Sequence, residues 1–167
     1  MSEKESIFTS KVKYNGIVNF QDFYKFCYDW LSEETGLFII EKKYTEKLSS
    51  DSKNIKVEWE GTNKVTDFFK FSVKLEFDVI GLTNVEITQD NKKIKTNKGS
   101  VEVKVKGTLI RDYQGKFERN AFQKFLRAIY EKWVIPARIE QLENKLVADC
   151  DEFLAQAKAY LDLEGKR

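Results

Sequence analysis

Hydrophobic and polar residues follow two periods along the chain. From 37 to 113 the period is two. Ile55, Val57 and Trp59 alternate with Lys56, Glu58 and Glu60. Phe69, Phe71, Val73, Leu75, Phe77 and Val79 alternate with Lys70, Ser72, Lys74, Glu76 and Asp78. Val101, Val103, Val105, Gly107 and Leu109 alternate with Glu102, Lys104, Lys106 and Thr108. Successive side chains of a strand point to opposite faces, so this pattern predicts antiparallel strands with one dry and one wet face. Strands are expected near 37–48, 53–60 (reaching toward 65), 68–81, 84–89, 92–96 and 99–113, preceded by a short strand at 7–14 that ends at Asn15-Gly16. Turn-forming residues separate them: 49–52, Gly61-Thr62-Asn63, 81–84, Gln89-Asp90-Asn91 and Asn97-Lys98-Gly99. The short connections favour a meander. Lys42, Glu46 and Lys47 blur the alternation of 37–48, as expected of an edge strand.

Two regions follow the helical period instead. Asn19 can cap a helix over 19–35, with Asp22 three residues on and Gly36 as a stop. Phe20, Phe23, Tyr24, Cys27, Trp30 and Leu31 share a face, flanked by Phe26 and Tyr28. That apolar arc spans about 200°, wider than one contact needs, so the helix should touch two surfaces. Beyond Gln114-Gly115, Phe122, Phe125, Leu126, Ile129 and Trp133 form another face. Pro136 should kink or restart that helix. Ile139, Leu142, Leu146, Cys150, Phe153, Ala157 and Tyr160 continue the stripe to about Leu163. The expected fold is one α+β domain, a curved antiparallel meander sheet covered by an N-terminal helix and a long, Pro-kinked C-terminal helix. Residues 1–6 are expected to fray, 7–113 to form strand, helix and sheet, and 117–163 to form the helical region.

Composition narrows the chemistry. The 167 residues suit one domain, and 29 basic against 27 acidic residues leave a net charge of only +2. The absence of histidine excludes a Ser-His-Asp triad, a Cys-His pair and imidazole metal ligands. The two cysteines, Cys27 and Cys150, cannot make a Cys₄ zinc site and are read as reduced, buried thiols. The polar, acidic start differs from a signal peptide, and no charge-free window approaches the ~20 residues of a membrane helix. A cytoplasmic protein is expected. No phosphate loop, dinucleotide fingerprint or EF-hand spacing occurs, and no cofactor or metal is expected. Glu58, Glu60, Glu76 and Asp78 fall on the wet parity, where acidity stays ordinary. The lysines at 92, 93, 95, 98, 104 and 106 lack accompanying arginines or exposed aromatics and are read as a solvated face rather than a nucleic-acid site.

The aromatic load is the most informative remaining feature. Trp59, Phe69, Phe71 and Phe77 share one sheet face, and Phe122, Phe125, Trp133 and Phe153 lie on helices expected to cover it. Such a layer is either a filled core or an apolar pocket between sheet and helix. Trp59, Phe71, Val73, Leu75, Phe77, Val103, Val105, Phe125, Ile129 and Trp133 would line the pocket. The order strand, helix, meandering strands, long C-terminal helix resembles the helix-grip fold of the Bet v 1/START-type superfamily over 7–163. The resemblance implies a curved sheet gripping a long helix and enclosing lipids, hormones or polyketide-like molecules. One helix stands where that superfamily usually has two short ones, and Gly61-Thr62-Asn63 is poorer in glycine than its usual loop. The expected function is non-catalytic binding of an apolar small molecule or lipid between the sheet and the C-terminal helix. The alternative is a solid-cored protein–protein interaction or assembly module, pairing through Phe26, Tyr28, Trp30 or the 137–163 helix.

Overall fold

The computed structural model describes residues 3–66, 68–111, 121–129, 132 and 136–165. Its order is β1 (Glu3–Ile17), α1 (Phe20–Glu34), β2 (Phe38–Ser49), β3 (Ser52–Lys64), β4 (Phe69–Gln89), β5 (Lys92–Arg111), α2 (Ala121–Ile129) and α3 (Pro136–Gly165). The five strands form one open antiparallel sheet in the order β1-β5-β4-β3-β2. β2 to β5 are a meander, and β1 adds to the free edge of β5. The fold is therefore α+β, with α1 and α3 covering one face.

The predicted dry face is present. Ile55, Val57, Trp59, Phe69, Phe71, Val73, Leu75, Phe77, Val79, Val101, Val103, Val105 and Leu109 are buried in one cluster with Phe23, Cys27, Leu31, Leu146, Cys150 and Phe153. α1 touches two surfaces, as its wide arc requires. Phe23 meets Phe77 edge-on, while Phe26 stacks on Tyr160 at 4.7 Å and Trp30 meets Phe153 at 5.8 Å. Asn19 caps the helix, its side chain accepting from the Asp22 amide at 3.2 Å. Buried Val18 and Phe23 hold the positions of a hydrophobic staple. Gly36, at φ +70°, ends the helix in the left-handed region.

Several expectations are corrected. The glycines at 81 and 99 do not end strands. Gly81 (φ +67°) and Leu82 together oppose Gly99, forming a bulge inside continuous β4 and β5 strands. A Cβ on Gly99 would come within 3.0 Å of the Leu82 Cα, so glycine allows the close approach. Gly61 likewise lies inside β3, beneath Leu37 and Ile39. Residues 4–6, expected to fray, pair with 108–110, and Glu5 holds Arg111 at 2.8 Å. Pro136 is the first residue of α3, the restart that the sequence allowed, since an N1 position needs no amide hydrogen. The α3 stripe ends on buried Leu161, with Leu163 exposed.

The largest correction concerns α2. Phe122, Phe125, Leu126 and Ile129 are exposed rather than laid on the sheet. α1 and α3 already fill that layer, with the Phe26–Tyr160 and Trp30–Phe153 contacts joining them. Trp133 and the last two positions of the predicted 99–113 strand lie outside the described residues.

Candidate functional site

Seven of the ten predicted lining residues do come together. Trp59, Phe71, Val73, Leu75, Phe77, Val103 and Val105 are each no more than 2% exposed. Among the described residues the cavity that Phe71, Val73 and Val105 line is very small. The cavity beside Phe71, Val73 and Val105, closed by Leu31, Leu146 and Phe153, has a volume of about 10 Å³. That is room for a single water at most, behind a mostly apolar wall. Phe125 and Ile129 stand outside this layer.

Open space lies instead at the end of the sheet beside the first turns of α1. A bulge at Lys42 separates Glu41, opposite Trp59, from Lys43, opposite Glu58. One extra residue exchanges the two faces of a strand. Glu41, Tyr44 (opposite Val57) and Glu46 (opposite Ile55) therefore all join the inner face. Among the described residues no helix covers Tyr44, which remains 45% exposed. The result is a groove of about 610 Å³ lined by Phe20, Gln21, Tyr24, Glu41, Tyr44, Lys53, Ile55, Leu82 and Asn97. A second recess of about 550 Å³ shares Gln21 and Asn97 and runs on past Asn84, Glu86 and Lys95. Its far wall is an arm. β1 stops pairing at Lys98 and β3 at Thr83, and the Asn97 carbonyl still accepts from the Val18 amide at 2.9 Å, so among the described residues 84–96 of β4 and β5 pair only with each other. Asp90 and Asn91, at φ 51° and 63°, close the arm with the positive φ pair of a type I′ turn.

A hydrogen-bonded aromatic chain organises the groove. Trp59 Nε1 donates to the Tyr24 hydroxyl at 3.0 Å, and that hydroxyl donates to Glu41 Oε1. The Tyr24 ring meets Trp59 edge-on at 4.8 Å and Tyr44 at 6.4 Å. Tyr44 donates to Glu46 at 2.8 Å, and Glu46 also pairs with Lys53 at 3.6 Å. Burial, then the bond to Glu41, holds the Tyr24 phenol well above its ordinary range. Burial, then the bond to Glu46, pushes Tyr44 up to about 12. Both phenols therefore stay protonated near neutral pH. In that state each phenol offers a hydrogen bond rather than a charge. With the Gln21 and Asn97 amides, the groove offers a few polar groups on an aromatic and aliphatic floor.

The sequence reading missed Tyr24, Glu41, Tyr44 and Lys53. The available signal was the broken alternation at Lys42, which marks the bulge as well as an edge strand. The surfaces proposed for assembly are largely occupied within the chain. Phe26 and Trp30 pack on α3, Tyr28 meets Trp59 edge-on at 5.9 Å, and the α3 stripe is buried from Leu142 to Leu161. Glu58, Glu60, Glu76 and Asp78 take the face opposite the aromatic residues, where Glu60 pairs with Lys42 at 3.6 Å. Lys92, Lys93 and Lys95 lie on the arm. Among the described residues no helix is long and apolar enough to cross a membrane. Cys27 and Cys150 are buried free thiols; burial raises both, Cys150 to about 12. No protein-family model, curated protein or solved structure matches the chain, so geometry alone carries the functional reading.

Proposed function

We propose that this is a non-catalytic, helix-grip-like binding protein. Its site is the groove between α1 and the β2–β3 hairpin, not the layer beneath α3. The ligand is a small amphiphile: an apolar body resting on Phe20, Ile55 and Leu82, with a polar end at Tyr24, Glu41 and Tyr44. The supporting observation is size. About 610 Å³ falls within the ~300–1,000 Å³ of small-molecule sites, whereas the cavity beside Phe71, Val73 and Val105 has about 10 Å³. The reduced, buried thiols suit a cytoplasmic setting.

Native mass spectrometry after gentle purification tests the reading. A small-molecule adduct that is lost in Tyr44→Arg supports it. A clean apo monomer that takes up no member of a panel of fatty acids and alkylamines would sink it. The solid interior favours a second reading, an assembly module, whose mark is a mass that rises with protein concentration.

A further inference from the structure

We infer that α2 is a docking helix for an anionic lipid surface. Phe122, Phe125, Leu126 and Ile129 follow i, i+3, i+4, i+7 spacing and form one stripe, with exposures of 68, 60, 40 and 40%. Core helices of this protein bury the equivalent stripe; this one presents it to solvent. The same nine residues contain Lys124 and Arg127 and no acid. Helical spacing places Lys124 on the side away from the stripe. From 116 to 138 the sequence carries six bases, Lys116, Arg119, Lys124, Arg127, Lys132 and Arg138, and two acids, Glu118 and Glu131. Six minus two is +4, double the +2 of the whole chain, so the basic excess is concentrated in this stretch of the sequence.

Apolar stripe, basic opposite side and short length together describe an interfacial helix. Nine residues rise about 14 Å, too short to cross a bilayer but enough to lie in its surface with the aromatic residues among the acyl chains. The long stems of lysine and arginine reach back to the phosphates. A nucleic-acid backbone matches the charge but leaves four large apolar side chains without a partner. A second copy of α2 matches the stripe but brings like charges together. Four side chains also fall well short of the ~800 Å² per partner that a stable interface buries. An anionic bilayer satisfies both features at once.

The test is flotation with phosphatidylcholine vesicles, with and without phosphatidylglycerol. The expected result is binding that requires phosphatidylglycerol and weakens with salt, since exposed charges are screened beyond ~8 Å at physiological ionic strength. Lys124→Gln with Arg127→Gln should lower partitioning ~30-fold. Phe122→Ser and Phe125→Ser should each lower it about tenfold or more while leaving the melting temperature unchanged. Tyr44→Arg in the groove should leave vesicle binding intact, which separates this inference from the ligand reading. The inference is overturned by absence of binding to phosphatidylglycerol vesicles, or by equal binding in the serine variants. It is also overturned if those variants abolish self-association or nucleic-acid binding while vesicles bind none of the proteins.

Discussion

Tyr24 is the residue on which the groove turns. Its hydroxyl is the acceptor for the Trp59 indole and the donor to Glu41. Tyr24→Phe keeps the ring but leaves a buried indole N–H without its partner, at a cost of about 1–2 kcal/mol measurable by urea unfolding. The phenols also make stability depend on alkaline pH. Tyr44 titrates near 12 in the fold against ~10 when unfolded. The folded state thus holds its proton longer, and stability falls as pH rises from about 10 through 12. Near-ultraviolet absorbance should show tyrosinate from Tyr24 and Tyr44 only above that window, or on unfolding. A normal titration of both would remove the hydrogen-bonded chain. Phe71, 2% exposed beside a cavity of about 10 Å³, tests the solidity of the interior. Phe71→Ala should cost about 3–5 kcal/mol, the range for truncating a filled core. A loss under about 1 kcal/mol would mean a hollow one.

Bulges shape the elements. The bulge at Lys42 turns the β2 tip inward; the one at Gly81–Leu82 keeps β4 and β5 in register past the rest of the sheet. Without the second, the 84–96 arm would leave the groove with one wall fewer. Gly99→Ala should therefore destabilise by about 1–3 kcal/mol, because its Cβ would press on the backbone of Leu82 and Ile80 at 3.0–3.2 Å. Ser100→Ala beside it should stay within ~0.5 kcal/mol. Denaturant midpoints compare the two directly, and equal effects would show that the bulge tolerates a side chain. The helices obey a matching rule of space. Gly107 lets α3 approach β5, since a Cβ there would meet Cys150 Sγ at 3.2 Å and Leu146 Cγ at 3.3 Å.

For the whole molecule, the two thiols report on the unity of the core. Cys27 enters it from α1 and Cys150 from α3, and both are buried in one cluster with the sheet. Each should resist a thiol reagent in the native state and react only through opening. If α1 and α3 unfold together, the two react at the same limiting rate and with the same denaturant dependence. Faster reaction at Cys150, read by peptide mapping, would show α3 lifting from β1 and β5 independently.

The wet and dry parity of 55–60, 69–79 and 101–109, the caps of α1, the apolar stripe of α3 and the turn at Asp90-Asn91 were legible in the sequence. Each is a local property, set by side-chain direction or backbone preference over a few residues. Other features depended on which surfaces compete for cover. The merging of four predicted strands into β4 and β5 could not be read locally, because glycine marks bulges and turns alike. Seven of the residues named as a pocket lining share one buried cluster, but whether such a layer encloses space depends on how closely α1 and α3 approach the sheet. The stripe of α2 is exposed because α1 and α3 already occupy the sheet face, and the groove at Tyr24 and Tyr44 opens where their cover ends; both are set by packing between segments far apart in the chain.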